Sequence, residues 1–262
     1  MHTEKVKLWQ ELEGPCMTVY IPDKKKSDCA ILIFPGGGYT HLAQHEGKGY
    51  AEFFASHGIV SAVVEYRVFP NVFPAPLQDA QRAIQMLRYN ATSYDIDKNK
   101  IAVMGSSAGA HLASLLATYR KCVNFKNDNI SKEDILPNAQ ILCYGVLSLA
   151  DEYTHKGSRA NLLGDTQEQL SFDLSPIRIA DEKTPPAFLW HTWSDNVVAV
   201  ENSLEYAKRL RSQGVPAELH IFPEGNHGMG LCVGEDKVRR YNAKWSKLLL
   251  EWLCFINFYE DL

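Results

Sequence analysis

A chain of 262 residues, 45% of them hydrophobic, holds enough apolar material for one large core, so a single domain over 1–262 is expected. The net charge of −4, with basic residues scattered apart from Lys24-Lys25-Lys26, excludes the basic footprint of a nucleic-acid binder. No stretch reaches the apolar length of a membrane span, the opening MHTEKVKLWQELEG lacks a signal-peptide core, and the six cysteines show no C-x-x-C spacing, so a cytoplasmic protein with reduced thiols is expected.

In chain order, β-branched runs at 6–9 and 17–21 predict two strands too close together for a helical crossover, hence an antiparallel hairpin. Strand patterns at 30–34, 60–65, 101–104, 139–144, 187–191 and 217–222 then alternate with helical patterns at 49–56, 77–89, 108–119, 200–212 and 238–255. That alternation implies a mostly parallel sheet with helices on both faces. It fails between about 146 and 186, where a polar segment punctuated by Gly and Pro reads as a small cap over a site. The C-terminal KWSKLLLEWLCFINFYEDL is apolar enough to bury against the sheet or to serve a homodimer contact.

The stretch KIAVMGSSAGAHLAS places two serines between a strand and a helix. An exposed serine on so sharp a turn needs very small neighbours two residues away on both sides, because backbone meets backbone there. Ser107 has Gly105 and Gly109, giving G-S-S-A-G, whereas Ser106 has Met104 and Ala108. Ser107 is therefore the candidate nucleophile, the bland alternative being a helix cap.

A serine hydroxyl is a weak nucleophile without a base, and the base needs an orienting acid. On a strand–serine–helix elbow these partners follow in the order serine, acid, histidine. Of nine histidines, His2, His41, His45 and His57 precede Ser107, His111 lies inside the next helix, and His155 lies in the cap segment. His191 and His220 sit in apolar strands, where a hydrogen-bonded structural role is expected. His227, in FPEGNHGMG just past the last strand, is left as the base. Asp195, in HTWSDNVV at the end of a strand, is the acid; its alternative role is to cap the helix near Val200.

Three glycines follow the third strand in ILIFPGGGYTH. Backbone N–H groups of Gly37 and Gly38, with that of Ala108, are the expected oxyanion donors. A dinucleotide loop would need glycine at His41, and no G-K-[ST] follows for a P-loop. His41 and His45 stand four apart beside Glu46, yet neither H-E-x-x-H nor H-x-x-E-H is present, so no metal and no cofactor is expected. Glu46 or His45 lining the acyl pocket is the better reading. Tyr39, Tyr66 and Trp193 fall near loop ends, where a ring could stack on a sugar or pack in the core.

With these stretches, VVEYRV, PAPLQDAQRAIQMLR and SLEYAKRLRSQGV in view, the chain resembles the α/β-hydrolase superfamily. Within it, the similarity is to the small bacterial acetyl-xylan-esterase-like and acetyl esterase group, over about residues 31–227. The resemblance implies an eight-stranded α/β-hydrolase fold and a Ser-His-Asp acyl-enzyme mechanism on short, acetyl-type esters of sugars. Pro35 stands where the hormone-sensitive-lipase-like branch has His, Ala110 where a second glycine is common, and Ala199 where proline is common. A general carboxylesterase, an arylformamidase or a peptidase would use the same triad. A non-catalytic binding module would usually have lost one of its members.

Overall fold

The computed structural model describes residues 1–123, 126–164 and 168–260. Its strands are β1 (His2–Lys7), β2 (Cys16–Ile21), β3 (Ala30–Phe34), β4 (Val60–Glu65), β5 (Ile101–Ser106), β6 (Ala139–Cys143), β7 (Ala187–Thr192) and β8 (Ala217–Phe222). They form one sheet in the order β1-β2-β4-β3-β5-β6-β7-β8. β2 pairs antiparallel with β1 and with β4, and all later pairings are parallel. This is the α/β-hydrolase arrangement.

The longer helices are α1 (Lys48–Ser56), α2 (Ala75–Tyr89) and α3 (Ala108–Thr118). The 146–186 segment carries α4 (Lys156–Leu163), α5 (Glu168–Asp173) and α6 (Pro176–Ile179), with 165–167 outside the described residues. α7 (Glu201–Ser212), α8 (Lys237–Asn242) and α9 (Lys244–Phe255) complete the chain.

The central strands β3, β5, β6 and β7 are buried at every position and mostly apolar because both faces are covered. Successive side chains alternate between two cores. Leu32, Phe34, Ile101, Val103 and Leu189 join one core with α2, α3 and α7. Ile31, Ile33, Met104, Phe188 and Trp190 join the other with Tyr50 and Phe54 of α1 and Trp245 and Leu249 of α9. Trp190 and Trp245 stack at 5.0 Å between centroids, so the C-terminal helix is committed to the sheet. Leu147, Leu149, Leu162, Leu163 and Leu174 tie the cap segment into the first core.

Some boundaries differ from expectation, each for a packing reason. The first strand is His2–Lys7 and not 6–9, because Leu8 and Trp9 turn inward as a core plug, with Trp9 Nε1–H donating to Asp79 Oδ1 at 2.6 Å. The 238–255 helix is two helices broken at Ala243. β5 runs on to Ser106, so the strand leads directly into the turn at Ser107. Tyr144 leaves β6 with φ 38°.

β3 is followed by α1 on one face and β5 by α3 on the other, so their loops part and leave a crevice at the carboxyl edge, where open α/β sheets bind ligands. Beside it, the glycine requirement around Ser107 is literal. A Cβ on Gly105 would lie 2.1 Å from Gly109 O, and one on Gly109 would lie 2.0 Å from Phe34 O. Gly109→Ala is expected to cost about 1–3 kcal/mol through overpacking and to lower Tm by several degrees. A thermal melt that matches wild type would mean that α3 can slide off β3.

Candidate active site

Loops after β3, β5, β7 and β8 converge on this crevice. Ser107 sits on the β5–α3 turn with φ 53° and ψ −121°, a conformation costing a non-glycine residue about 1–3 kcal/mol. Its Oγ lies 2.8 Å from His227 Nε2, and His227 Nδ1 lies 2.7 Å from Asp195 Oδ2. With Asp195 ionised, Nδ1–H donates to the carboxylate and Nε2 accepts from the serine hydroxyl. Ser106 is fully buried and meets Tyr50 Oη at 3.0 Å, a core hydroxyl.

Burial pushes the Asp195 pKa up. Hydrogen bonds from His191 and His227, the His227 charge and the Val198 N–H outweigh that and hold it well below 3.8. Oδ1 accepts from the Val197 and Val198 N–H groups at 2.9 and 3.0 Å, leaving Oδ2 for the imidazoles. His191, expected as a structural histidine, lies behind the acid at 3.3 Å and bonds Ser203 Oγ and Val198 O. His220 is half-exposed on the edge strand, paired with Glu218 at 2.7 Å.

The acid and base loops are laced together. Thr192 Oγ1 donates to Gly225 O at 2.9 Å, and the Gly225 N–H donates to Ser194 Oγ at 3.0 Å. Past His227, His45 Nε2–H donates to Gly228 O at 2.9 Å. The Gly230 N–H donates to Tyr144 Oη at 2.9 Å, and the Tyr144 ring meets the His227 ring edge to face at 5.1 Å.

The glycine loop is pinned residue by residue. Tyr66 Oη–H donates to Pro35 O at 2.6 Å. Glu46 Oε2 accepts the Gly36 N–H at 2.9 Å, and Asn161 Nδ2–H of α4 donates to Gly38 O at 2.8 Å. Tyr39 follows with φ 60° and its hydroxyl 2.7 Å from His111 Nδ1. His111 Nε2–H donates to Leu174 O, and burial lowers its pKa to about 4, so the ring is neutral and accepts from Tyr39. Among the described residues, the N–H groups of Gly37, Gly38 and Ala108 meet no acceptor. Ala108 opens α3, where a helix leaves its first N–H groups free. Three donors are therefore available at the serine.

Ser107, Gly37, Gly38 and His227 line a cavity of about 400 Å³. A hollow of about 450 Å³ beside Arg178 and Lys208 is larger, but carboxylates and cations line it and Ser107 lies elsewhere. Glu46 and His45 line the Ser107 cavity, though both side chains already hold backbone groups.

Two expected ring contacts need correction. Tyr39 and Tyr66 are buried at 0% and 3% exposure and act as struts for the glycine loop, because their hydroxyls find partners inside. Trp193 is 63% exposed and lies outside the residues lining the cavity. The sequence reading missed Tyr144, His155 and Asn161. Tyr144 carried a usable signal, its place at the carboxyl end of a parallel strand. His155 and Asn161 carried none, because the cap has no periodicity that says which side faces inward.

The BD-FAE family model matches residues 17–210 of this chain, a stretch that includes Ser107 and Asp195 but ends before His227. Endo-1,4-beta-xylanase B of Butyrivibrio fibrisolvens is 35% identical over 244 residues, covering 87% of this chain and 38% of its own. Acetylxylan esterase of Xylanibacter ruminicola is 30% identical over 220 residues, covering 82% and 43%. The chain thus spans about two fifths of the length of these curated relatives. The crystal structure of an acetyl ester-xyloside bifunctional hydrolase from Caldicellulosiruptor lactoaceticus superposes with TM-score 0.90 at 43% identity, covering 98% of this chain and 97% of that one. Among the described residues, no helix is long and apolar enough to cross a membrane, and no disulfide joins any of the six cysteines.

Two outcomes follow from the site's wiring. Because the folded Asp195 pKa lies below 3.8, its charge contributes stability that is present above that value and lost as pH falls through the folded one. The Tm gap between wild type and Asp195→Asn should therefore shrink between about pH 4 and pH 2; a constant gap would refute the wiring. Glu46→Ala leaves the Gly36 N–H and the Tyr144 hydroxyl without their acceptor, at about 1–3 kcal/mol each, and should lower Tm by several degrees. Glu46→Gln, which keeps one acceptor, should lose less.

Proposed function

The chain belongs to the BD-FAE family, and from that premise we propose that it is a serine-dependent carboxylic ester hydrolase releasing short acyl groups, chiefly acetyl, from sugars or xylo-oligosaccharides. The observation that carries this reading is the Ser107–His227–Asp195 chain, at 2.8 and 2.7 Å, opening on a cavity beside three unengaged backbone N–H groups. The sugar-ester part is supported by the named activities of the acetylxylan esterase and acetyl ester-xyloside hydrolase relatives. The side chains of Thr40, His41, His155 and Asn161 among the cavity's lining give a hydroxylated alcohol polar groups to meet.

The mechanism follows from the polarity of each contact. His227 Nε2 takes the Ser107 proton as Oγ attacks the ester carbonyl, and the imidazolium is held by the Asp195 charge on Nδ1. The carbonyl oxygen, now an oxyanion, accepts from the Gly37, Gly38 and Ala108 N–H groups. His227 then passes the proton to the leaving alcohol. Water, deprotonated by the same ring, hydrolyses the acyl-enzyme and restores Ser107. A residue in this chain outside the BD-FAE match, His227, thereby completes the reaction.

Acetate release from acetylated xylo-oligosaccharides, with p-nitrophenyl acetate alongside, tests the reading. Ser107→Ala should lower kcat by roughly 10⁵–10⁶, and Asp195→Asn by roughly 10⁴. Turnover of the nitrophenyl ester alone would move the substrate to other esters or amides. Turnover that survives Ser107→Ala would remove the mechanism.

A further inference from the structure

The cap presents one polar group that the chemistry above leaves unused. His155 is the N-cap of α4, and its Nδ1 accepts from the Ser158 N–H at 3.2 Å, with Ser158 Oγ at 2.8 Å. An Nδ1 lone pair occupied in this way places the proton of a neutral imidazole on Nε2. Burial, and then the neighbouring His227 ring, lower the His155 pKa from 6.5 against the opposing pull of Asp195, so the ring is neutral at pH 7. A side chain that caps a helix in this way is a rigid one.

His155 lies on the wall of the Ser107 cavity, half-buried, and its Nε2 meets no partner among the described residues. The other polar side chains of that wall are engaged. Asn161 holds Gly38 O, His45 holds Gly228 O, and Thr40 donates to Gly37 O. Glu46 serves Gly36 and Tyr144, and His41 lies exposed beside Thr40 at 3.0 Å. The His155 Nε2–H, on a ring fixed by its own helix cap, has no such partner among the described residues.

The identity of its acceptor follows from the reaction. The carbonyl oxygen is taken by Gly37, Gly38 and Ala108, and a short acyl chain has no other oxygen. A donor supplied by the cap is left for the alcohol half of the ester. We propose that the His155 Nε2–H is a specificity-determining contact that donates to a hydroxyl or ring oxygen of a polyol alcohol, such as a pyranose. This rests on the ester-hydrolase reading above and narrows its substrate class. It also gives α4 two roles, since one end of the helix holds the oxyanion loop through Asn161 and the other selects the leaving group.

The test compares kcat/KM for an acetylated xylo-oligosaccharide with that for p-nitrophenyl acetate, whose leaving group lacks polyol oxygens. His155→Ser and His155→Asn both keep an oxygen able to cap Ser158 N–H, so helix capping is retained while the donor into the cavity is removed or shortened. The ratio of sugar-ester to nitrophenyl-ester kcat/KM should fall about tenfold in His155→Ser, chiefly through KM, and in the same direction in His155→Asn. Both substrates meet the same enzyme, so a smaller folded fraction cancels from the ratio. A ratio within about twofold of wild type overturns the contact, as does a wild type that cleaves only the nitrophenyl ester. The two readings fail separately. An inert wild type removes the ester-hydrolase reading and this contact with it, whereas an active wild type with equal losses on both substrates removes the contact alone.

Discussion

At Gly109 the backbone of α3 passes so close to the carbonyl end of β3 that a single methyl group would sit 2.0 Å from Phe34 O. That approach sets the rest of the site. It locks the first turn of α3 under the start of the glycine loop, so the free N–H of Ala108 and those of Gly37 and Gly38 belong to one neighbourhood. It also forces Ser107 into φ 53°, which turns the hydroxyl out of the helix and toward His227. The strain of about 1–3 kcal/mol is sustained because packing on both sides overdetermines the turn.

Backbone donors are useful to a reaction only if they stay still as charge develops. Here the loop that carries them is held by side chains from four places: Tyr66 after β4, Glu46 before α1, Asn161 in the cap and, through Tyr39, His111 in α3. Glu46 reaches further, since its other oxygen accepts from Tyr144 at 2.8 Å and Tyr144 in turn holds Gly230 in the base loop. One buried carboxylate thus joins the glycine loop to the loop that bears His227. Both the backbone donors of the glycine loop and the His227 ring are thereby held in place.

The cap is part of this scaffold. Its leucines enter the same core as α2 and α3, and its first helix reaches down to Gly38. A segment anchored in this way can shape a pocket, because rotamers set by packing place a side chain far better than a free loop does. His155, fixed through its own helix cap, is the clearest case.

Much of this was legible in the chain itself. Short, near-continuous apolar runs separated by helical patterns point to a mostly parallel sheet, since burial on both faces calls for such runs. The G-x-S-x-G turn, the order serine, acid, histidine and the three glycines name Ser107, Asp195, His227, Gly37 and Gly38, because their chemistry depends on local backbone and on chain order. The contacts of Tyr39, Tyr66, Glu46, His155 and Asn161 were decided only by the tertiary structure. A tyrosine near a loop end looks the same in sequence whether its ring faces a sugar or its hydroxyl faces a histidine 72 residues away. The bond from Asn161 to Gly38 likewise spans 123 residues and leaves no periodic trace. Periodicity and motifs record what a residue does within its own element, whereas the partner of a side chain is set by which elements the core brings together.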